Sequence, residues 1–104
     1  MPTIHHPELD TVPLSAVLAA LSDPTRLEIV KRLEESGSVG CVCADIGVEA
    51  SKSALSHHFK VLRQAGIIHQ EPQGTARITT LRREQLDGRF PGLLDSVLGA
   101  EGPV

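Results

Sequence analysis

The chain has 104 residues, 22% of them charged, and a formal net charge of −3, which suits one small domain whose limited core gains from pairing with a second copy. No apolar run approaches the roughly 18 residues of a membrane span, and the N-terminus lacks the charged start and apolar stretch of a secretion signal, so a cytoplasmic protein with no membrane contact is expected. Cys41 and Cys43, the only two cysteines, stand too close to make a long-range staple. That argues against a secreted disulfide scaffold and for a reducing compartment.

Residues 1–13 carry three prolines and two histidines without periodicity, and read as a mobile or loosely packed arm. Leu14, Val17, Leu18 and Leu21 then recur at helical spacing and predict a first amphipathic helix. In "SDPTR", Asp23 suits an N-cap and Pro24 the first helical position, and Leu27, Val30 and Leu33 continue as the inner stripe of a second helix ending near Ser36 and Gly37. A short helix is expected from about Cys41 to Ile46, stopped by Gly47. Ser51 then caps a longer helix whose inner face is Leu55, Phe59 and Leu62 and whose end is Gly66; two helices joined by a tight turn make a helix-turn-helix. The period changes in "IIHQEPQGTARITTL", where Ile67 to Gln70 and Ala76 to Leu81 read as strands of a hairpin with "EPQG" between them. Glu84 to Leu98 returns to helical spacing and breaks near Pro91 and Gly92. The expected organisation is an arm over 1–13, a domain over 14–98 and a tail over 99–104.

Charge is unevenly placed along this order. From Ser51 to Arg83 the cations are Lys52, Lys60, Arg63, Arg77, Arg82 and Arg83 against Glu71 alone, so this third of the chain is +5 and the remainder −8. Such an island meets phosphates while the acidic remainder opposes indiscriminate adhesion. A single-stranded or RNA partner would call for stacking platforms, yet Trp and Tyr are absent and both Phe59 and Phe90 fall on apolar stripes. A glycine-rich phosphate loop, paired carboxylates and a nucleophile elbow are also missing, which sets an enzyme aside.

Two segments, "ALSDPTRLEIVKRL" and "SKSALSHHFKVLRQAGII", together resemble the ArsR/SmtB family of bacterial transcriptional regulators. The resemblance runs from about Leu14 to Leu81. It implies a winged helix-turn-helix, mainly α with a small β-hairpin wing, that dimerises through its N- and C-terminal helices. Its partner would be double-stranded operator DNA carrying an inverted repeat, read by a homodimer, most often as a repressor. With Leu55, Phe59 and Leu62 inward, about 100° of rotation per residue leaves Lys52, Ser53, Ser56, His57, Lys60 and Gln64 on the outer side of the recognition helix. Ser56 and His57 are assigned to base readout, and Lys52, Lys60 and Arg63 to phosphates, with Gln64 near the groove edge. His58, bordering the inner face, is expected to position the helix. In the wing, Gln73, Gly74, Thr75 and Arg77 resemble the tip that such proteins lay along the backbone or into the minor groove.

What controls binding has two readings. "GCVCADI" resembles the Cys-x-Cys sensor of arsenic- and cadmium-type relatives, and thiolates at a helix N-terminus are soft ligands of lowered pKa. Cys41 and Cys43 would then hold nickel, zinc, cadmium or arsenite, with His5 and His6 of the arm as further nitrogen donors. The same cysteines suit small core positions. No cofactor is then required, and an accessory protein or the redox state controls a DNA-binding subunit without its own effector site.

Overall fold

The computed structural model describes residues 4–100. Its helices are α1 (Leu14–Leu21), α2 (Pro24–Ser36), α3 (Lys52–Gln64), α4 (Arg83–Arg89) and α5 (Leu93–Gly99), and its strands β1 (Cys41–Val42), β2 (Ile68–Gln73) and β3 (Ala76–Leu81). The strands form one antiparallel sheet in the order β1-β3-β2. This is a winged helix-turn-helix, mainly helical with a small β wing.

Local chemistry explains the starts of α2 and α3 and the end of α3. The Arg26 N–H donates to the Asp23 side chain at 3.0 Å, with Pro24 at the first helical position, and the Ala54 N–H donates to Ser51 Oγ at 3.1 Å. At the end of α3 the Gly66 N–H donates to the Arg63 carbonyl and the Ile67 N–H to the Leu62 carbonyl, each at 3.0 Å. That pair is a Schellman closure, and it needs the left-handed backbone of Gly66, φ +77°. The two following isoleucines are wholly buried and carry α3 directly into the sheet.

Packing joins the helices to the sheet through one core. Ile29, Val30 and Leu33 of α2 meet Phe59 and Leu62 of α3, Ile67 and Ile68 at the root of the wing, and Leu86 and Leu94 of the last helices. Arg83 pairs with Glu34, Asp87 and Asp95, so α4 is tied to both α2 and α5. The break expected near Pro91 and Gly92 divides the last helical segment into α4 and α5, with Gly92 left-handed at φ +82°.

Three expectations are corrected. Cys41 to Ile46 is not a helix: Cys41 and Val42 pair with Thr79 and Ile78 of β3, and only Cys43–Asp45 turns, as a single 3-10 turn. Pairing with a neighbouring strand overrides the weak local preference of so short a segment. The reversal of the wing is not "EPQG", because β2 runs on through Gln73 and the loop is Gly74 and Thr75 alone. Gly74 at φ +63° supplies the first position of a II′-like hairpin, and Pro72 is tolerated because β2 is an edge strand.

The arm is the third. From residue 4 onward it packs: Leu9–Thr11 form a 3-10 turn, Leu9 and Val12 are buried, and the Leu9 side chain fills the space over Gly66. Residues 1–3 of the arm, and most of the tail expected over 99–104, lie outside the described residues. Of the α1 stripe, Val17 and Leu21 are buried while Leu14 and Leu18 remain 45% and 46% exposed.

Candidate nucleic-acid interface

α3 projects its outer face because its inner one is held from two sides. Leu62 and Phe59 sit in the core, and His58 Nδ1 accepts from Arg26 Nη1 at 3.2 Å. Arg26 also donates through Nε to the Ala20 carbonyl at 2.6 Å, closing an orphan acceptor at the end of α1. One guanidinium therefore fixes α3 against the α1–α2 corner. His58 has the positioning place expected of it, whereas the role of Arg26 was hidden inside "SDPTR": its position was visible, its partner 32 residues away was not.

Lys52, Ser53, Ser56, His57, Lys60 and Gln64 are all exposed on α3. At the wing tip Gln73, Gly74, Thr75 and Arg77 are exposed as well. A groove of about 650 Å³ separates α3 from the wing. Lys52, Ser56 and Lys60 line one side and Thr75 and Arg77 the other, with Cys43, Phe59 and Gln70 among the residues between. Ser53, His57, Gln64 and Gln73 lie outside this groove, and His57 tilts against His58 with ring centroids 6.0 Å apart. The arrangement offers cations on two walls and hydroxyl and imidazole groups on the projecting helix, a combination that can neutralise phosphates and reach base edges together.

Not every cation of the basic island is available for that. Arg63 is half-buried and donates to Gln70 Oε1 at 2.7 Å, and burial followed by the nearby Arg77 lowers its pKa. It braces the root of the wing beside the groove rather than standing free. Arg82 donates to the Pro7 carbonyl at 2.9 Å, and Arg83 is occupied by the three carboxylates already described.

Between α3 and the sheet runs a polar network for which the sequence carried no periodic signal. Gln70 is 2% exposed and Thr79 0%. Gln70 Nε2 donates to Thr79 Oγ1 and to Cys43 Sγ, both at 3.3 Å, and Cys43 shares a further hydrogen bond with Thr79 at 3.0 Å. These partners satisfy groups whose burial would otherwise cost about 1–3 kcal/mol each.

Cys41 lies in a strand and Cys43 opens only a single 3-10 turn, so the expected place of the pair at the N-terminus of an α-helix is corrected. Burial, then Asp45 and Cys43, push the Cys41 thiol up. His5 is exposed, and His6 is not a free donor either: its Nε2 accepts from the Gln70 N–H at 2.9 Å and its ring stacks on His69. Among the described residues no three of His, Cys, Asp and Glu converge on a point that would hold a metal ion. Two sulfurs are a suitable soft donor pair in chemical type, but the closed set expected of arm and cysteines is not formed within one chain.

Known proteins resemble this chain in sequence and in fold. The family described as bacterial regulatory protein, arsR family, matches residues 23–70. The transcriptional regulator YceK of Bacillus subtilis is 31% identical over 83 residues, 78% of this chain and 82% of that protein. The arsenical resistance operon repressor of Bacillus subtilis is 39% identical over 70 residues, 66% of each chain. A crystal structure of an ArsR-family transcriptional regulator aligns with a TM-score of 0.66 at 21% identity, over 80% of this chain and 90% of that one, a likeness of fold.

Proposed function

Because the chain belongs to the ArsR family of bacterial regulatory proteins, and is a DNA-binding transcriptional regulator of that type, we propose that it acts as a homodimeric repressor on an inverted-repeat operator. The observation that carries this reading is the projecting polar face of α3 set across a groove from Arg77 of the wing. α3 enters the major groove, where Ser56 and His57 meet base edges. Lys52 and Lys60 neutralise phosphates, Gln64 lies at the groove edge, and Gln73, Thr75 and Arg77 follow the backbone or the minor groove. The half-exposed Leu14 and Leu18 of α1 supply the apolar face of the dimer, together with the C-terminal helices. Two copies then present two recognition helices to half-sites about one helical turn apart.

His57→Ala should flatten base preference at one step of the half-site by about 1–3 kcal/mol, read from binding to a set of single-base operator variants. Retained preference at every step would remove His57 from readout. Lys60→Ala should weaken all duplexes alike and make the dependence of affinity on salt shallower. A loss restricted to the operator would contradict a phosphate role.

For control, a thiophilic effector has Cys41 and Cys43 as its available donors, and it must prefer the arrangement that does not bind DNA, since equal affinity for both shifts nothing. A second reading is favoured by a specific observation: Cys43 is already engaged by Gln70 and Thr79, as a structural residue would be. In that case an accessory protein or redox state governs occupancy, with no effector of the chain's own. Anisotropy titration of the reduced protein with its own upstream DNA separates them, run with and without nickel, zinc, cadmium and arsenite and repeated for Cys41→Ser/Cys43→Ser. A loss of affinity of about tenfold, a coupling near 1.4 kcal/mol, that vanishes in the double variant makes the thiols the sensor. Indifference to every ion leaves them structural, and failure of the protein to bind any duplex would sink the repressor reading.

A further inference from the structure

The segment before α1 lies along the outer edge of the wing and is held there by one imidazole. β2 is an edge strand, so its outward N–H groups have no strand partner. The Gln70 N–H is one of them, and it donates to His6 Nε2 at 2.9 Å. The His6 ring lies on His69 with centroids 4.3 Å apart and planes inclined by 20°. Pro7 accepts from Arg82, and Leu9 and Val12 are buried, so the segment is anchored on the far side of the contact as well.

The side chain of the same Gln70 faces the groove. Its Oε1 accepts from Arg63 at 2.7 Å and its Nε2 donates to Cys43 and Thr79. A single residue thus connects the N-terminal segment, through its backbone, with the brace beside the DNA face, through its amide. Resting on the DNA-binding reading above, we propose that residues 4–6, hinged on the anchored segment that follows, form a proton-released latch: protonation of His6 frees the β2 edge, loosens the Gln70–Arg63 brace and lowers operator affinity.

The chemistry follows from what an imidazole can do. Neutral His6 offers the Nε2 lone pair to Gln70; the protonated ring has a donor there instead and cannot accept. Burial is the first cause that opposes its protonation, followed by the neighbouring His69 beneath the ring and the cations Arg82 and Arg63. The nearby carboxylate, Glu71, is taken up by His69 Nε2 at 3.1 Å. Only a hydrogen bond with the Ile4 backbone favours the charged ring. Burial and these cations hold His6 below its ordinary value of 6.5. The latched state therefore binds the proton more weakly than the released one: the latch is fully effective above 6.5 and fails progressively as pH falls past that value toward the lowered one.

The test uses the full chain, wild type and His6→Gln, whose amide oxygen can accept the same N–H without titrating. Amide exchange at Gln70 is followed by NMR from pH 7.5 to 5.0 and corrected for the intrinsic pH dependence of exchange. Anisotropy with the protein's own upstream duplex is measured over the same range. Protection at Gln70 should fall at least fivefold in wild type and stay level in H6Q, and wild-type affinity should fall at least threefold relative to H6Q. The His6 ring in wild type, which needs no variant, should titrate below 6.5; titration above it, or protection that ignores pH, overturns the latch. Protection that titrates while the two proteins keep the same relative affinity overturns the coupling to DNA, as does a parallel fall in both, which would belong to other histidines. If neither protein binds DNA at any pH, the repressor reading and the operator part fall together, and the exchange result still decides the latch.

Discussion

Leu62→Ala is expected to cost about 2–5 kcal/mol of stability. Leu62 is 0% exposed and sits where α3, the wing root and α2 converge. Its carbonyl also receives the Ile67 N–H that closes the helix, so the neighbouring backbone cannot collapse into the space left by the side chain without breaking that closure. Against a total of about 5–15 kcal/mol for a domain of this size, the variant should show a urea midpoint far below wild type. A loss under about 1 kcal/mol would mean that the site repacks and that α3 is held mainly by Arg26 and His58. Folded Leu62→Ala should keep its base preference, because the outer face is unchanged.

Gly40→Ala is expected to be comparably severe, about 2–6 kcal/mol from two separate sources. The backbone there has φ +80° and ψ −175°, a region that essentially only glycine adopts and that costs an ordinary residue about 1–3 kcal/mol. An added Cβ would also stand 2.8 Å from Thr80 Cγ2 and 2.9 Å from both Ile78 Cγ2 and the Thr79 carbonyl, and overpacking of that kind adds about 1–3 kcal/mol. The backbone oxygen cannot rotate away, so β1 must shift from β3 and take Cys41 with it. Gly74→Ala is the matched control: φ is +63° but the Cβ would meet open space, so only the backbone part should appear. Equal losses from the two variants, measured by urea unfolding, would show that the close approach at Gly40 is relieved cheaply.

These two positions differ in how far the chain alone reveals them. The inward place of Leu62 follows from its spacing with Leu55 and Phe59, a pattern that the helix period makes local. Caps at Asp23 and Ser51 and the closing glycine at Gly66 are local as well, since each acts within a few residues of itself. Hence α1, α2, α3 and the wing were legible in order, and so was the exposed row from Lys52 to Gln64, with Arg77 at the wing. Gly40 carries no comparable signal. Its requirement comes from Ile78, Thr79 and Thr80, almost forty residues away along the chain, and so does the conversion of Cys41 and Val42 from an expected helix to a strand.

Arg63 shows the same division within one residue. Counting around the helix places it close to the basic face, and its charge suggests a phosphate; the side-chain amide oxygen of Gln70 at 2.7 Å gives it an internal partner instead. Arg82 and Arg83 likewise add to the charge of the island while bonding inward. Net charge along a segment is additive and can be read from composition, but which cations face solvent depends on where their acceptors lie.

By itself, then, the amino-acid sequence determined the family, the helical stripes, the capped ends and the projecting polar face of α3, because periodicity, capping and charge act over short chain distances. Only the tertiary structure decided that Cys-x-Cys enters a strand, that Arg26 and Arg63 serve as braces, and that the N-terminal segment is held through His6 on the edge of the wing. Each of those depends on a hydrogen bond or close contact between residues remote in sequence, and such partners exist only once the chain has folded them together.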